Sequence, residues 1–379
     1  VPVLLWGPRD ECPDENGMRL RDSQCGLFAT GKVLRRFGIP FTYLKNCNLE
    51  DECFAEGIDR FLRVCNVVKA FRNTRVLQIS TRPFDFWSTM CNEGELLEKF
   101  GIQLSPIPMP ELTQAMKDVK ENSPEEIKEV TDYCREKMCI KVTPEQLDNV
   151  AALKIAMTRL GKKYGCNCGA IQCWNALQDE IGIMPCAANA LCNDEGFPIA
   201  CETDIHGTIT SVLVEAAAMG ETRSFFADWT VRHPYNDNAE LLQHCGPWPI
   251  SIAKEKPTID TPVAFDCSGS LMAQAKDGEH ISLVRFDGDN GEYSLLLGNA
   301  KTVDGPYTKG TYMWVEVENL DRLEDKLVQG PYIHHCVGVH QDVVPVLYEA
   351  CKYIGVTPDL YDPIEEKVKA IIRGEKVEK

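Results

Sequence analysis

A chain of 379 residues with 44% apolar and 26% charged residues has the usage of a globular protein able to bury two or three hydrophobic cores. Its formal charge of −17 argues against nucleic acid or an anionic membrane as a partner. No apolar run approaches the roughly 18 residues that span a bilayer, and the first residues lack a basic segment leading into an apolar one, so the expectation is a cytoplasmic protein.

In chain order, residues 3–6 read as a buried strand, 23–37 as a helix stopped at Gly38, 41–44 as a strand and 49–71 as a long helix. A second α/β block opens with a strand at 75–80. It continues through a helix near 93–100, a strand at 102–107, helices near 111–122 and 124–136, and a helix at 144–164 with Thr143 as its N-cap. From about Glu221 short alternating runs at 261–266, 281–286, 292–297 and 311–316 are split by turns such as Asp287-Gly288-Asp289-Asn290-Gly291, the pattern of an antiparallel sheet or barrel. The tail 362–379 reads as a charged amphipathic helix. The expected fold class is α/β: two doubly wound, Rossmann-like domains at 1–72 and 73–219, the first truncated at its start, then a mostly antiparallel β domain at 220–379.

Eighteen cysteines in so large an acidic chain point to reduced thiols in a reducing cytoplasm rather than to a disulfide framework. Cys166, Cys168 and Cys173 are the densest group. They lack paired C-x2-C arms, so a structural zinc or iron–sulfur site is the minority reading of their spacing.

All seven histidines lie between His206 and His340, in the stretch that also holds Cys201-Glu202-Thr203-Asp204-Ile205-His206-Gly207 and Phe225-Phe226-Ala227-Asp228-Trp229. Imidazoles and carboxylates gathered in an otherwise histidine-free chain suit a divalent cation. Glu202 stands where an apolar run gives way to a helix-like one, the end of a strand at which α/β sheets bind ligands. Asp228 is an acid flanked by Phe226 and Trp229, costly unless paired. His335, in the apolar run Tyr332–His340, is read as sitting on a third strand end, just before a helix. Taken singly, Glu202 and Asp228 also read as helix caps, and His334 with His335 as one packed ring and one surface ring.

The order of motifs from Cys173-Trp174 through Pro185-Cys186, Asp194-Glu195-Gly196, the Glu202 and His244-Cys245-Gly246 segments to His334-His335 resembles the L-fucose/L-arabinose isomerase family, and the L-fucose isomerase branch more closely. The resemblance implies Mn²⁺, with Mg²⁺ or Co²⁺ as substitutes, held by Glu202, Asp228 and His335, and interconversion of an aldose with its ketose through a metal-bound enediolate. Glu202 and Asp228 would be the acid–base pair as well as ligands. His244 is a candidate further ligand, and Gln172, His206, His244, Trp314 and His334 are candidate substrate contacts. The partner is a small-molecule sugar. The family's precedent is a homo-oligomer, a hexamer or a trimer, with active sites shared between subunits. Two alternatives stand beside this reading: an isomerase of a phosphorylated or sulfonated sugar, favoured if Arg223, Arg232 or Lys301 points inward, and a sugar-binding relative without turnover.

Overall fold

A computed structural model describes residues 1–262 and 266–377. The long amphipathic stretches fold as their periodicity predicts, into helices Ser23–Arg36, Glu52–Arg72, Met109–Asn122, Pro124–Lys137 and Pro144–Tyr164. Thr143 caps the last of these through a reciprocal pair of bonds with Gln146. Arg75–Ile79 is the centre of a parallel four-stranded sheet, flanked by Gln103–Ile107 on one side and by Cys168–Ile171 and Ile199–Ala200 on the other. The leading segment contributes a separate pair of parallel strands, Leu4–Leu5 beside Thr42–Tyr43.

The second half is built on a large mixed sheet whose middle closes on itself. Ile281–Asp289 pairs antiparallel with both Glu292–Thr302 and His335–Val339. His335–Val339 pairs with Phe225–His233, which hairpins onto Asn236–His244, and that strand pairs with Thr311–Glu316. Lys301 opposite Glu316 and Thr302 opposite Val315 complete the ring. Outside it, Thr357–Asp362 extends one flank, while Ser270–Gln274, Thr258–Asp260 and finally Cys139–Ile140 extend the other.

Helix Ile205–Ala217 is apolar nearly all round because it is covered nearly all round. It packs between the four-stranded sheet and the closed sheet, and its side chains share one core with Phe226, Val284, Val337 and Leu347. This fixes the position of residue 202 at its entry.

Four expectations need correcting. The strand expected at 261–266 is not seen at its described ends, and 263–265 lie outside the described residues. Asp228 does not precede a helix; it lies inside the strand Phe225–His233, tolerated there because its cross-strand neighbour is His335. His335 opens the strand His335–Val339, and the helix Val344–Ile354 follows only after a turn. The tail helix covers only Glu365–Ile372, since Thr357–Asp362 is spent as a strand and Pro363 interrupts the chain between them.

Candidate active site

Between Ile199–Ala200 and Ile205–Ala217 the chain changes direction with two consecutive non-glycine residues in left-handed backbone, Glu202 at φ 60° and Thr203 at φ 52°. Such a conformation costs on the order of 1–2 kcal/mol per residue, so it persists only where its surroundings hold it. Here the Thr203 N–H donates to the Ile171 carbonyl at 3.0 Å and the Glu202 N–H to Cys173 Sγ at 3.3 Å. Asp204 then caps the helix, its Oδ1 accepting from the Gly207 N–H at 2.9 Å.

The closed sheet delivers the rest by register. Asp228 is paired with His335 on one neighbouring strand and with Gln243 on the other, and His244 follows Gln243. His335 Nε2 comes within 3.0 Å of Glu202 Oε2 and 3.5 Å of Asp228 Oδ1, and His244 Nε2 lies 3.8 Å from that same oxygen. None of these four atoms, Glu202 Oε2, Asp228 Oδ1, His335 Nε2 and His244 Nε2, has a partner in hydrogen-bond geometry, although each is buried. Buried lone pairs left open toward one another are what a cation would satisfy. Asp228, His334 and His335 also offer ligand atoms within 4.8 Å of one another.

The electrostatics agree with that fit. Burial works to lower the His335 pKa, but Asp204 and Glu202 overcome it and push it up to about 10. Burial pushes the Glu202 carboxyl up, yet close approach of His335, with His244 and the Trp174 indole, leaves it below its ordinary value. The cluster therefore calls for positive charge, which the imidazolium supplies when no metal does. Asp204, to which sequence reasoning gave no part, supports the ring from behind: its Oδ2 is 2.7 Å from His335 Nδ1, which leaves Nε2 facing the carboxylates. Fully buried Arg285 grips the same carboxylate and reaches Asp287 at 3.0 Å. Arg285 and His335 hold Asp204 far below the usual carboxylate range against the opposing effect of burial.

The cluster opens into a cavity of about 370 Å³ lined by Glu202, Asp228, His244, Trp174, Thr308 and Lys309 among others, a size in the range of roughly 300–1,000 Å³ common for small-molecule sites. The Trp174 indole donates to Glu202 Oε1 at 3.1 Å. Of the other candidate contacts, His334 is exposed with its Nε2 4.0 Å from Asp228 Oδ1, whereas Gln172 accepts from Ser80 Oγ at 2.7 Å at the end of the parallel sheet. His206 turns to Asp287 at 3.0 Å, behind the cluster. Trp314 gives its indole N–H to the Pro306 carbonyl and stacks edge-on to His233, so it is not brought to the others. Arg223, Arg232 and Lys301 are engaged elsewhere, with Glu215, with Asp321 and Glu324, and with Glu316 respectively.

Trp174, Asp204, Arg285 and Lys309 were missed as site residues. Arg285 carried a usable signal, a lone cation in the apolar run 281–286, which requires a buried acid somewhere.

A family model described as the N-terminal domain of fucose/sulfoquinovose isomerase matches residues 1–72. Over 367 residues the chain is 25% identical to the sulfoquinovose isomerase of Priestia aryabhattai, covering 95% of this chain and 80% of the relative, and it matches that of Priestia megaterium to the same extent. Over 354 residues it is 24% identical to the sulfoquinovose isomerase of Alkalicoccus urumqiensis, covering 92% of this chain and 78% of the relative. These matches support an enzyme of the sugar aldose–ketose isomerase class. The family they support for the chain is the fucose isomerase-like one. No helix among the described residues is long and apolar enough to cross a membrane.

Proposed function

We propose that this chain interconverts the aldose and ketose forms of a sulfonated sugar at the Glu202–Asp228–His335 cluster. The observation that carries the reading is the convergence of buried, unpartnered carboxylate and imidazole atoms on the floor of an open cavity. The neutral sugar implied by the motif resemblance gives way to the modified-sugar alternative, because the relatives over most of the chain bear the name of a sulfonated sugar's isomerase. The basic residues first considered for an anionic group are tied up away from the cavity. Among the described residues Lys309 is the cation that lines it, and no ion pair to Lys309 is found among them.

Isomerisation moves a proton between C1 and C2 of the open-chain sugar, so one group must take it from one carbon and return it to the other. Glu202 and Asp228 face each other across His335 and are the pair for that transfer. Glu202, depressed below its ordinary pKa, is ionised at neutral pH and ready to accept. The Trp174 N–H fixes its other oxygen. A Mn²⁺-class ion held by Glu202, Asp228 and His335, with His244 beside them, would supply Lewis-acid stabilisation of the negative charge on the enediolate oxygens.

The same reading places the protein in the cytoplasm as a homo-oligomer, a trimer or hexamer, with two doubly wound α/β domains at 1–72 and 73–219 before a β-rich domain at 220–379. The deciding experiment incubates purified protein with Mn²⁺ and sulfonated, phosphorylated and neutral aldoses and follows ketose formation by NMR. Turnover of the sulfonated sugar ahead of the others is expected. Binding without turnover of any of the three would overturn the catalytic reading.

A further inference from the structure

Directly behind Glu202 lies a second cluster, made of sulfur. Cys186, Cys201 and Cys245 place their Sγ atoms within 4.8 Å of one another, and Cys186 Sγ is 3.2 Å from Cys245 Sγ. Fully buried Cys173 lies next to this group, its Sγ accepting from the N–H of Glu202, the residue after Cys201. The four come from four separate elements: the residues just after strand Cys168–Ile171, the start of helix Cys186–Asp194, the end of strand Ile199–Ala200 and the end of strand Asn236–His244. Cys166 and Cys168, the sequence neighbours of Cys173, turn instead to the backbone carbonyls of Tyr164 and Arg75. The tertiary fold, not local spacing, assembles the group.

We infer that these cysteines form a thiolate site for a zinc-class ion, separate from the carboxylate–imidazole cluster. Sulfurs at about 2.3 Å from a tetrahedral Zn²⁺ would stand roughly 3.8 Å apart, between the 3.2 Å closest approach and the 4.8 Å outer limit found among Cys186, Cys201 and Cys245. A redox pair would need only two of them. Two donors face the sulfurs, the Glu202 N–H at 3.3 Å from Cys173 Sγ and the Asn189 side-chain amide at 3.5 Å from Cys201 Sγ, of the kind that orient metal-bound thiolates. Cys186, Cys201 and Cys173 are fully buried, whereas Cys245 lines the active-site cavity and supplies an entry path. Soft thiolates select this ion from the harder one that two carboxylates would take. Because Cys201 precedes Glu202 and Cys245 follows His244, an ion here would hold both residues in place from the rear.

The test reads metal content, not turnover. Wild-type chain and Glu202→Gln are purified under reductant, loaded with Zn²⁺ or Co²⁺, dialysed against excess Mn²⁺ and analysed for metal. About one zinc per chain in both proteins, and a thiolate-to-cobalt charge-transfer band in both cobalt forms, is expected. Cys186→Ser with Cys201→Ser should lose the ion and the band. Should that variant fail to fold, the wild-type cobalt spectrum decides alone. Loss of zinc in Glu202→Gln, absence of the band from folded wild type, or a Cys186–Cys245 disulfide found by mass spectrometry in protein made under reductant would overturn the inference.

Discussion

Asp204 Oδ2 and His335 Nδ1 stand 2.7 Å apart with both side chains wholly out of water, and the same carboxyl group caps a helix and pairs with Arg285. Asp204→Asn therefore removes a charge from three partners at once. Leaving buried Arg285 with Asp287 as its remaining carboxylate should cost up to about 3–5 kcal/mol in urea unfolding, the upper value being that of a wholly unpaired buried charge. Loosening His335 should weaken Mn²⁺ binding by roughly 10–100-fold in a titration of the free ion. Unchanged stability together with unchanged affinity would remove Asp204 from this role.

Glu202→Gln and Asp228→Asn are near-isosteric and should leave the fold intact while each lowers turnover by at least about 10²-fold. The double variant should fall short of the product of the two losses, since either change interrupts the same proton transfer. Solvent deuterium should enter C1 or C2 of recovered sugar. Sugar that keeps its own hydrogen over many turnovers would indicate a hydride shift in place of an enediolate.

Lys309→Met tests recognition of the anionic group. Loss of one charge-assisted contact, worth about 1.5–3 kcal/mol, should raise KM for the sulfonated sugar by roughly 10–100-fold. Binding of a neutral aldose should hardly change. An equal effect on both sugars would mean that Lys309 shapes the cavity without reading the charge.

Glu240 provides a pH signature in the fold itself. Only 7% exposed, it has its carboxyl pushed up to about 7 by burial, with Glu324 adding to the effect and Arg232 opposing it. In the unfolded chain the same group ionises near its ordinary value of 4.5. Between these two values the unfolded state has released its proton and the folded state has not, so stability falls as pH rises through the window. The full penalty, on the order of 3 kcal/mol at most, is present above it. Glu240→Gln should raise the melting temperature at pH 8 and leave it nearly unchanged at pH 4; the opposite ordering would contradict this account.

Sedimentation of the purified chain at micromolar concentration should show a closed homo-oligomer, trimeric or hexameric. A monomer throughout that range would count against both the assembly and a shared active site.

Helices were the most legible part of the sequence, because fourteen or more residues of periodic pattern with a Thr143 cap or a terminal glycine leave little choice. The strands Cys168–Ile171 and Ile199–Ala200 are too short to show a period, and they take their definition from the parallel neighbours that cover them. At the site, the composition marked Glu202, Asp228 and His335, but their convergence rests on a register that pairs residues more than a hundred positions apart. Asp204 could be read locally as a cap and still be read incompletely, since its second oxygen answers a histidine and an arginine supplied by distant strands. His206 and Trp314 looked alike in kind to the true neighbours of the cluster. Only the side of the sheet or helix on which they emerged separated them.

The short strand Cys139–Ile140 lies in the middle of the chain yet hydrogen-bonds in register to Thr258 and Ile259 at the rim of the large sheet. A gene fragment cut at residue 220 would therefore lose its last strand and present a bare row of backbone donors and acceptors to whatever chain came next. Such a fragment would stick to itself rather than refold, and shuffling the two halves among homologous chains would succeed only if this two-residue seam travelled with the half it closes.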